Sequence, residues 1–432
     1  MEQCADFRQA IRVLHHLDER TCVEHLRRLT AWTRHAGERV RKRALTLVEE
    51  VRRHPPGQVE AFLLEYGLTT ADGVALMSLA EALLRIPDAA TAQALIKDKL
   101  GQGAWERHRG HSDVRLVNMS TLALTWGARA APLALAQPAL RLAISGAVRR
   151  LGDIFVMGET LEAALGRAAA SEKAGWRHSF DMLGEAARTD AQAEKYFRAY
   201  LDAIAAVGRV SASRGPGAGA GISVKLSALH PRYDGLQADR VMAELLPRLM
   251  ELCRVAKAVN IGLTIDAEEA ERLEISLDLF QQLAAAPDLA DWDGLGLAVQ
   301  AYQKRALGVV DLVVHLARLH GRRLMVRLVK GAYWDSEIKR AQERGLAGYP
   351  VFTTKSATDL SYLACARVLM AAREWIFPAF ATHNALTMAG TPVLGHGGGG
   401  GAVPAPARYG GGPARPGVGG SSLPGLRPRR PL

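Results

Sequence analysis

The sequence has few cysteines and no long apolar run, and each absence excludes a class of protein. Its cysteines are scattered without a C-x-x-C pair, at Cys4, Cys22, Cys253 and Cys365. This scatter argues against a zinc site or a disulfide framework and favours a reducing cytoplasm. No apolar run of the chain approaches the roughly 20 residues of a membrane span. The chain begins without the charged start and apolar core of a signal peptide. We therefore expect a cytoplasmic protein.

Acidic residues are missing from the C-terminal segment. Residues 386–432 contain five arginines and no acid, so they supply almost half of the formal net charge of +11. Residues 391–432 hold 13 glycines and 8 prolines, and we expect disorder there because this composition buries too little surface to offset its chain entropy. The basic runs Arg39–Arg43 and Arg52–His54 stand beside glutamates at helical spacing. This spacing is more typical of a solvated helix face than of a nucleic-acid surface.

Several common site motifs are also absent. No glycine-rich loop is followed by Lys-Ser or Lys-Thr, and Gly217–Gly221 precedes a predicted strand instead of following one. His230 and His383 lie far apart without H-x-x-x-H spacing, so we expect no metal site. No serine or cysteine stands at a nucleophile elbow.

What the chain does contain is a repeated alternation of short strands and helix-length intervals. Seven apolar or β-branched segments each end in a polar group, and such units predict an α/β fold of the (βα)8 TIM-barrel type with its site at the carboxyl ends of the strands. The segments are Phe180–Glu185, Ile222–Lys225, Leu263–Asp266, Leu297–Gln300, Val326–Arg327, Val351–Thr353 and Phe380–His383. An eighth strand is not visible.

The sequence divides into four predicted regions. Residues 1–54 form an N-terminal helical arm, and residues 55–178 form a helical domain with its connection to the barrel. Residues 179–390 form the barrel, and residues 391–432 form the Gly/Pro/Arg-rich tail. The helical regions offer no convergent polar cluster, so we expect them to serve folding or dimerisation.

The polar residues at the strand ends predict a pocket. Arg327 and Lys330 stand in an apolar run, and buried cations need an anionic partner or the mouth of a cavity; a salt-bridged strand end is the simpler alternative. A cationic pocket with aromatic walls suits a bulky anionic cofactor and a small zwitterion. The predicted inward set is Glu185, Lys225, Asp266, Gln300, Arg327, Lys330, His383 and Asn384, with Tyr333 and Trp334 beside it.

Five longer motifs carry a family resemblance. They are Ser223–Tyr233, Leu263–Glu269, Val299–Tyr302, Met325–Asp335 and Phe380–Asn384. They resemble the proline dehydrogenase region of the bifunctional bacterial PutA flavoenzymes. The resemblance implies a distorted (βα)8 barrel after a helical domain, a bound FAD, and oxidation of L-proline to Δ1-pyrroline-5-carboxylate in proline catabolism to glutamate. It also implies electron transfer to quinone at the inner face of the plasma membrane, and a homodimer.

The resemblance also implies roles for single residues. Arg327 would stabilise the reduced flavin, and Asp266 would order the active centre beside it. Lys225 would meet the proline carboxylate, Tyr333 would wall the substrate pocket, and Glu185 would pair with an arginine of a closing gate. The implied cofactor-binding residues are Gln300, Arg327, Lys330, Gly331, Ala332, Trp334, Thr353, Thr358, His383 and Asn384.

The sequence departs from the family pattern in several places. An eighth strand and a last helix with two clamping arginines are not recognisable after residue 390, and Arg429 and Arg430 lie between prolines. Thr354 replaces a usual arginine. An aldehyde dehydrogenase half is not recognisable, and neither is a ribbon-helix-helix segment, which argues against DNA binding.

These departures leave other interpretations open. The chain is alternatively an inactive barrel fragment from a frame-shifted gene, or a DNA- or lipid-binding remnant. A further interpretation of the chain is an aldolase-like barrel in which Lys225 or Lys330 forms a Schiff base.

Overall fold

The computed structural model describes residues 2–30, 33–53, 91, 95, 156–158, 160–211 and 214–395. These residues fall into two compact units, one with residues 2–49 and 169–395 and the other with the described part of 50–168. All strands among the described residues lie in the first unit. Most of the predicted helical domain, and the predicted disordered tail beyond Gly395, lie outside the described residues.

Six parallel strands form one sheet whose spatial order is the order of the sequence. Helices connect consecutive strands, so the sheet is built from βα units, and the predicted α/β class is confirmed. The strands are β1 (Ser179–Asp181), β2 (Gly221–Val224), β3 (Gly262–Ile265), β4 (Leu295–Gln300), β5 (Leu324–Val329) and β6 (Ile376–Phe380). All residues of β3 and β4 are buried, as expected for parallel strands that helices cover.

Twelve α-helices are present among the described residues. None of them is long and apolar enough to cross a membrane. Asp18 caps the second helix by accepting from the Thr21 N–H at 3.0 Å, and Thr354 caps the eleventh by accepting from the Ala357 N–H at 3.3 Å. The helices are α1 (Glu2–His16), α2 (Glu19–Leu29), α3 (Arg34–Arg53), α4 (Leu161–Lys173), α5 (Asp190–Ser211), α6 (Leu226–Leu229), α7 (Ala238–Ala258), α8 (Leu273–Ala285), α9 (Ala306–Leu319), α10 (Trp334–Glu343), α11 (Lys355–Ala371) and α12 (Ala385–Gly395).

The sheet curls strongly about its strand direction. Four strand-to-strand steps separate β1 from β5, which is about 19 Å in a flat sheet. Yet Arg327 of β5 donates to the hydroxyl of Ser179 in β1 at 2.6 Å and to that of Ser223 in β2 at 2.6 Å. One arginine side chain cannot bridge the flat distance, so the six strands must wrap around a common interior, as they do in a barrel.

The prediction of a strand at Val351–Thr353 is wrong. Val351 forms only an isolated antiparallel bridge with Gln303, and the Phe352 N–H donates to the Tyr302 carbonyl at 2.7 Å. The place beside β5 in the sheet is already taken by β6, which pairs with it over five residues. Val351 and Phe352 are fully buried, so their apolar pattern reflects burial in a loop between α10 and α11.

The ends of the last strand and helix also differ from the sequence prediction. β6 ends at Phe380, so His383 lies in the loop that follows and not in the strand. α12 continues to Gly395, five residues beyond the predicted end of the barrel at residue 390. The predicted end rested on the Gly/Pro-rich composition that begins at residue 391, and the helix includes Pro392 of that segment.

The first N-terminal helix packs against an outer helix of the barrel-type sheet. Ile11 of α1 is fully buried. A Cβ atom placed on Gly308 of α9 would lie 3.1 Å from Ile11 and 3.2 Å from Leu14, so the glycine permits the close approach of the two helices. The apolar side of α1 therefore has its packing partner within the same compact unit.

The helices α2 and α3 also bury apolar residues against helices that come later in the chain. Cys22 and Leu26 of α2 form a buried cluster with Phe352 and with Ala357 and Ala364 of α11. Val40 and Ala44 of α3 pack on Ala389 of α12 in a second cluster. The N-terminal segment thus forms a layer over the helices that follow β4, β5 and β6.

Arg8 anchors α1 through charge as well as through packing. Its guanidinium contacts Glu274 at 2.7 Å and Asp278 at 2.7 Å, with 7% of the side chain exposed. Arg8→Met should lower the free energy of unfolding by about 1–3 kcal/mol, because it removes the buried cation beside Asp278 and leaves Glu274 with only Arg12 and Arg305. Urea unfolding measures the loss. Arg20→Met is the matched control, since Arg20 is 87% exposed and should cost less than about 1 kcal/mol; equal losses would contradict the assignment.

Asp311 of α9 should make stability depend on pH. Burial raises the pKa of its carboxyl to about 6, with nearby His25 acting in the opposite direction. The folded state therefore binds the proton more tightly than the unfolded state, so stability falls as the pH rises from about 4 to about 6.

Asp311→Asn removes this cost. At pH 7.5 it should raise the free energy of unfolding by about 1–2 kcal/mol, a value reduced from the full shift because Asp311 is partly exposed. At pH 4 the gain should vanish. Urea unfolding at both pH values checks this, and the same gain at both would show that the carboxylate charge is not the cause.

Candidate active site at the carboxyl ends of the strands

Arg327 lies among apolar residues of β5 and donates hydrogen bonds to side chains on β1, on β2 and directly after β3. Its Nη1 atom donates to Asp266 Oδ1 at 3.1 Å and to Ser223 Oγ at 2.6 Å. Its Nη2 atom donates to Ser179 Oγ at 2.6 Å. The side chain is only 6% exposed. The anionic partner that the sequence required for Arg327 is Asp266, directly after β3.

Lys225 extends the same charged group toward the first strand. Its Nζ atom lies 2.5 Å from Asp181 Oδ1 and 3.1 Å from Asp266 Oδ2. The backbone N–H of Lys225 donates to the hydroxyl of Tyr200 at 3.2 Å. Asp266 thus uses one oxygen for Lys225 and the other for Arg327, and two cations alternate with two carboxylates.

Burial and charge act in opposite directions on this group. Burial raises the pKa of Asp266, and Lys225 and Arg327 counteract it. Burial alone would lower the pKa of Lys225, but the carboxylates of Asp266 and Asp181 outweigh it and raise the pKa. Burial lowers the pKa of Arg327, which still remains far above neutrality for a guanidinium. Both basic side chains therefore carry positive charge at pH 7.

Gln300 ends β4 and fixes the turn that follows β5. Its Nε2 atom donates to the Glu268 carbonyl at 2.8 Å, and its Oε1 atom accepts from the Ala332 N–H at 3.0 Å. The turn contains Gly331 with φ +145°, where a Cβ atom would lie 2.4 Å from the Tyr302 ring. Only glycine fits this position, because other residues would clash and rarely adopt such a φ.

Tyr333 and Trp334 leave the turn in different environments. Burial raises the pKa of the Tyr333 phenol, and the negative charges of Glu185 and Glu268 add to this effect. Glu185 itself is exposed, in the loop after β1. Trp334 begins α10, donates its indole N–H to the Phe352 carbonyl at 2.9 Å, and is 42% exposed. Tyr333 therefore lies within electrostatic range of Lys225, and the aromatic wall stays a prediction.

Lys330 lies at the other side of the carboxyl face, near the start of α12. It forms an ion pair with Asp359 and donates to Thr387 Oγ1 at 3.1 Å. Asn384 Oδ1 accepts from the Thr387 N–H at 2.9 Å and from its hydroxyl at 3.1 Å. Asn384 therefore caps α12 and is linked to Lys330 through Thr387. His383 stands next to it and is exposed.

The two threonines of the predicted cofactor set have different surroundings. Thr358 is 7% exposed within α11. Thr353 is exposed, and both its N–H and its hydroxyl donate to the carboxylate of Glu19, at 3.0 Å and 2.9 Å. The structure therefore brings Lys225, Asp266 and Arg327 together, but it places Thr353 on an N-terminal helix contact.

Sequence reasoning missed three residues of the charged group. Ser179 and Asp181 lie two positions apart on β1, and Ser223 lies two positions before Lys225 on β2. Because side chains two apart in a strand share a face, counting back from Lys225 identifies Ser223 as an inward residue. Asp181 was overlooked because the first strand was predicted to end at Glu185.

The donor set fits a large cofactor that is both anionic and aromatic. The carboxyl face contains the cations Arg327 and Lys330, the amide of Gln300 and the partly exposed ring of Trp334, and Gly331 keeps the backbone free of a side chain at the turn. Arg327 and Gln300 are buried and hydrogen-bonded within the protein. Cations and an aromatic ring are the kinds of group that bind an anionic, aromatic ligand. Among the residues that the structure describes, no group of three His, Cys, Asp or Glu side chains could hold a metal ion.

Family models match most of the chain. Residues 164–396 match the model described as proline dehydrogenase. Residues 58–168, most of which lie outside the described part of the structure, match the model described as the DNA-binding domain of proline dehydrogenase. The expectation against DNA binding is therefore not confirmed, and DNA binding by this chain stays untested.

Known relatives agree with the first match. The chain is 50% identical over 373 residues to the bifunctional protein PutA of Klebsiella aerogenes, covering 82% of this chain and 28% of that protein. It is 47% identical over 402 residues to that of Escherichia coli, covering 88% and 30%. A crystal structure of a proline utilization A (PutA) variant from Bradyrhizobium japonicum is 47% identical and superposes with a TM-score of 0.68, covering 89% of this chain and 40% of that one.

The chain thus spans less than a third of the length of these curated relatives. The structural likeness confirms the expected distorted TIM-type barrel after a helical region. The proline dehydrogenase model covers more than half of the chain, and it includes all six strands and every candidate site residue. The chain therefore belongs to the proline dehydrogenase family.

Proposed function

We propose that this chain oxidises L-proline to Δ1-pyrroline-5-carboxylate with FAD as its cofactor. The observation that carries the proposal is the charged group of Asp181, Lys225, Asp266 and Arg327 at the strand ends. A zwitterion such as proline needs a fixed cation for its carboxylate, and a site that already balances its own charges can hold one without a large desolvation cost.

Each residue has a defined task in this proposal. Lys225 binds the substrate carboxylate, while Asp266 holds Lys225 and Arg327 at a fixed separation. Tyr333 closes the side of the pocket, and Glu185 remains at its exposed edge to pair with a gating arginine. The family resemblance supports these roles, and the contacts of Asp266 are consistent with them.

The reaction requires little acid–base catalysis by the protein. Proline loses a hydride from C5 and a proton from its ring nitrogen, which passes to solvent water, and a C=N bond forms. Bound flavin supplies the hydride acceptor. Arg327 offers positive charge near the place where negative charge develops, and the buried setting strengthens that interaction. The other proposed cofactor contacts are Gln300, Lys330, Gly331, Ala332, Trp334, Thr353, Thr358, His383 and Asn384.

The further steps are also proposals. We infer that the electrons pass to quinone at the inner membrane face and that the chain forms a homodimer, on the strength of the resemblance. DNA binding is a second candidate function, favoured by the match of residues 58–168. A fluorescence-anisotropy titration with duplex DNA at two salt concentrations distinguishes it, since phosphate contacts make affinity fall steeply with salt.

Lys225→Ala tests the substrate site. In protein loaded with FAD, it should raise the KM for proline at least tenfold, because a charged hydrogen bond to the carboxylate is lost, while the FAD content stays the same. A proline:dye reductase assay with a flavin absorbance spectrum measures both. The control is Lys339→Ala, a 76% exposed lysine of α10. Parallel loss of FAD would place Lys225 in the cofactor site, and no proline oxidation by the unchanged chain would refute the function.

Arg327→Met tests the electrostatic role. It should lower the midpoint potential of the bound flavin by about 30–60 mV, since loss of a nearby cation destabilises the anionic reduced form by about 1.4–2.8 kcal/mol. Spectroelectrochemical titration gives the value. Arg323→Met is the control, because Arg323 is exposed and stacks on the Phe377 ring. An unchanged potential in Arg327→Met would argue against this placement of Arg327.

A further inference from the structure

A carboxylate of the N-terminal helices occupies the two donors of Thr353. Glu19, the first residue of α2, accepts from the Thr353 N–H at 3.0 Å and from its hydroxyl at 2.9 Å. Thr353 immediately precedes Thr354, the N-cap of α11, and the start of a helix favours negative charge. Glu19 therefore lies where an anionic group of a ligand would be bound.

Neighbouring contacts hold Glu19 in this position. Lys304, which follows β4, donates from Nζ to the carbonyl of Leu17 at 2.7 Å. Asp18 then caps α2 through the Thr21 N–H, which fixes the direction in which the helix starts. The two residues before Glu19 are thus tied to the barrel and to the helix, so its carboxylate is directed at Thr353 by the local backbone.

Space for a ligand lies beside the contact. Glu19 and Thr353 line a cavity of about 640 Å³, and its wall also carries the cations Lys304, Arg340 and Arg344. Arg340 and Arg344 both pair with Glu271, at 3.2 Å and 3.1 Å. The cavity is large enough for a phosphate-bearing group, but its wall also carries Asp18 and Glu337, so a phosphate there would have to draw Arg340 or Arg344 away from Glu271.

We propose that Glu19 is an intramolecular competitor for the anionic part of the cofactor at Thr353. The carboxylate satisfies the Thr353 donors, and it must leave them before a phosphate oxygen of a dinucleotide takes its place. This inference rests on the proposed function, because Thr353 is a cofactor contact by family resemblance. It makes the N-terminal helices a determinant of cofactor affinity.

Removal of the competitor should tighten cofactor binding. Glu19→Ala in the full chain, freed of flavin, should lower the Kd for FAD about tenfold, since a charged hydrogen bond no longer has to be broken. Glu19→Gln keeps an acceptor without the charge and should give a smaller decrease. Quenching of FAD fluorescence measures the Kd. Glu24→Ala is the control, because Glu24 is exposed on the same helix and pairs with Arg20; its Kd should not change.

A second variant ties the effect to Thr353. Thr353→Val removes the hydroxyl donor, so Glu19→Ala should have a smaller effect in that background, as a double-mutant cycle shows. Unchanged or weaker FAD binding in Glu19→Ala overturns the inference, and so does equal tightening in Glu24→Ala. If the unchanged chain and Glu19→Ala bind FAD equally well, the inference fails but the proposed function does not. No FAD binding by any of these proteins overturns both.

Discussion

The carboxylate of Asp266 joins two cations that belong to different strands, and the interior of the sheet depends on this sharing. A guanidinium as buried as that of Arg327 is tolerated only with a charged partner and full hydrogen bonding. Asp266 provides the charge, while Ser179 and Ser223 provide acceptors. Because Lys225 uses the second oxygen of Asp266, loss of this one carboxylate would remove a charged partner from both cations and leave Lys225 with Asp181.

The same contacts require curvature and small side chains. Ala298 of β4 is paired in register with Arg327, and paired residues of parallel strands point to the same face. A small residue there leaves room for the arginine to cross β4 toward Asp266. At Gly296, two positions earlier, a Cβ atom would lie 2.8 Å from Thr264 Oγ1. The small residues of β4 therefore permit the close interior that the charged group needs.

Much of this arrangement could be predicted from the sequence because its signals are local. The runs that end at Lys225, Asp266 and Gln300 are apolar strands followed by one polar group, and five of the six strands end within a few residues of the predicted position. The segment Val351–Thr353 gave the same local signal without being a strand. Phe352 is buried in the cluster with Cys22, Leu26, Ala357 and Ala364, and periodicity cannot distinguish such burial from burial in a sheet.

What local patterns cannot supply is the choice of partner over long chain separations. Glu19 and Thr353 are 334 positions apart, and Arg327 and Ser179 are 148 apart. A serine or threonine in the sequence does not indicate its hydrogen-bond partner, because a hydroxyl can serve in a helix cap, a turn or a binding site. A charged residue is more informative, since burial obliges it to have a partner of opposite sign. That is why the burial of Arg327 predicted an anionic partner or the mouth of a cavity, whereas nothing in the strand pattern predicted Glu19.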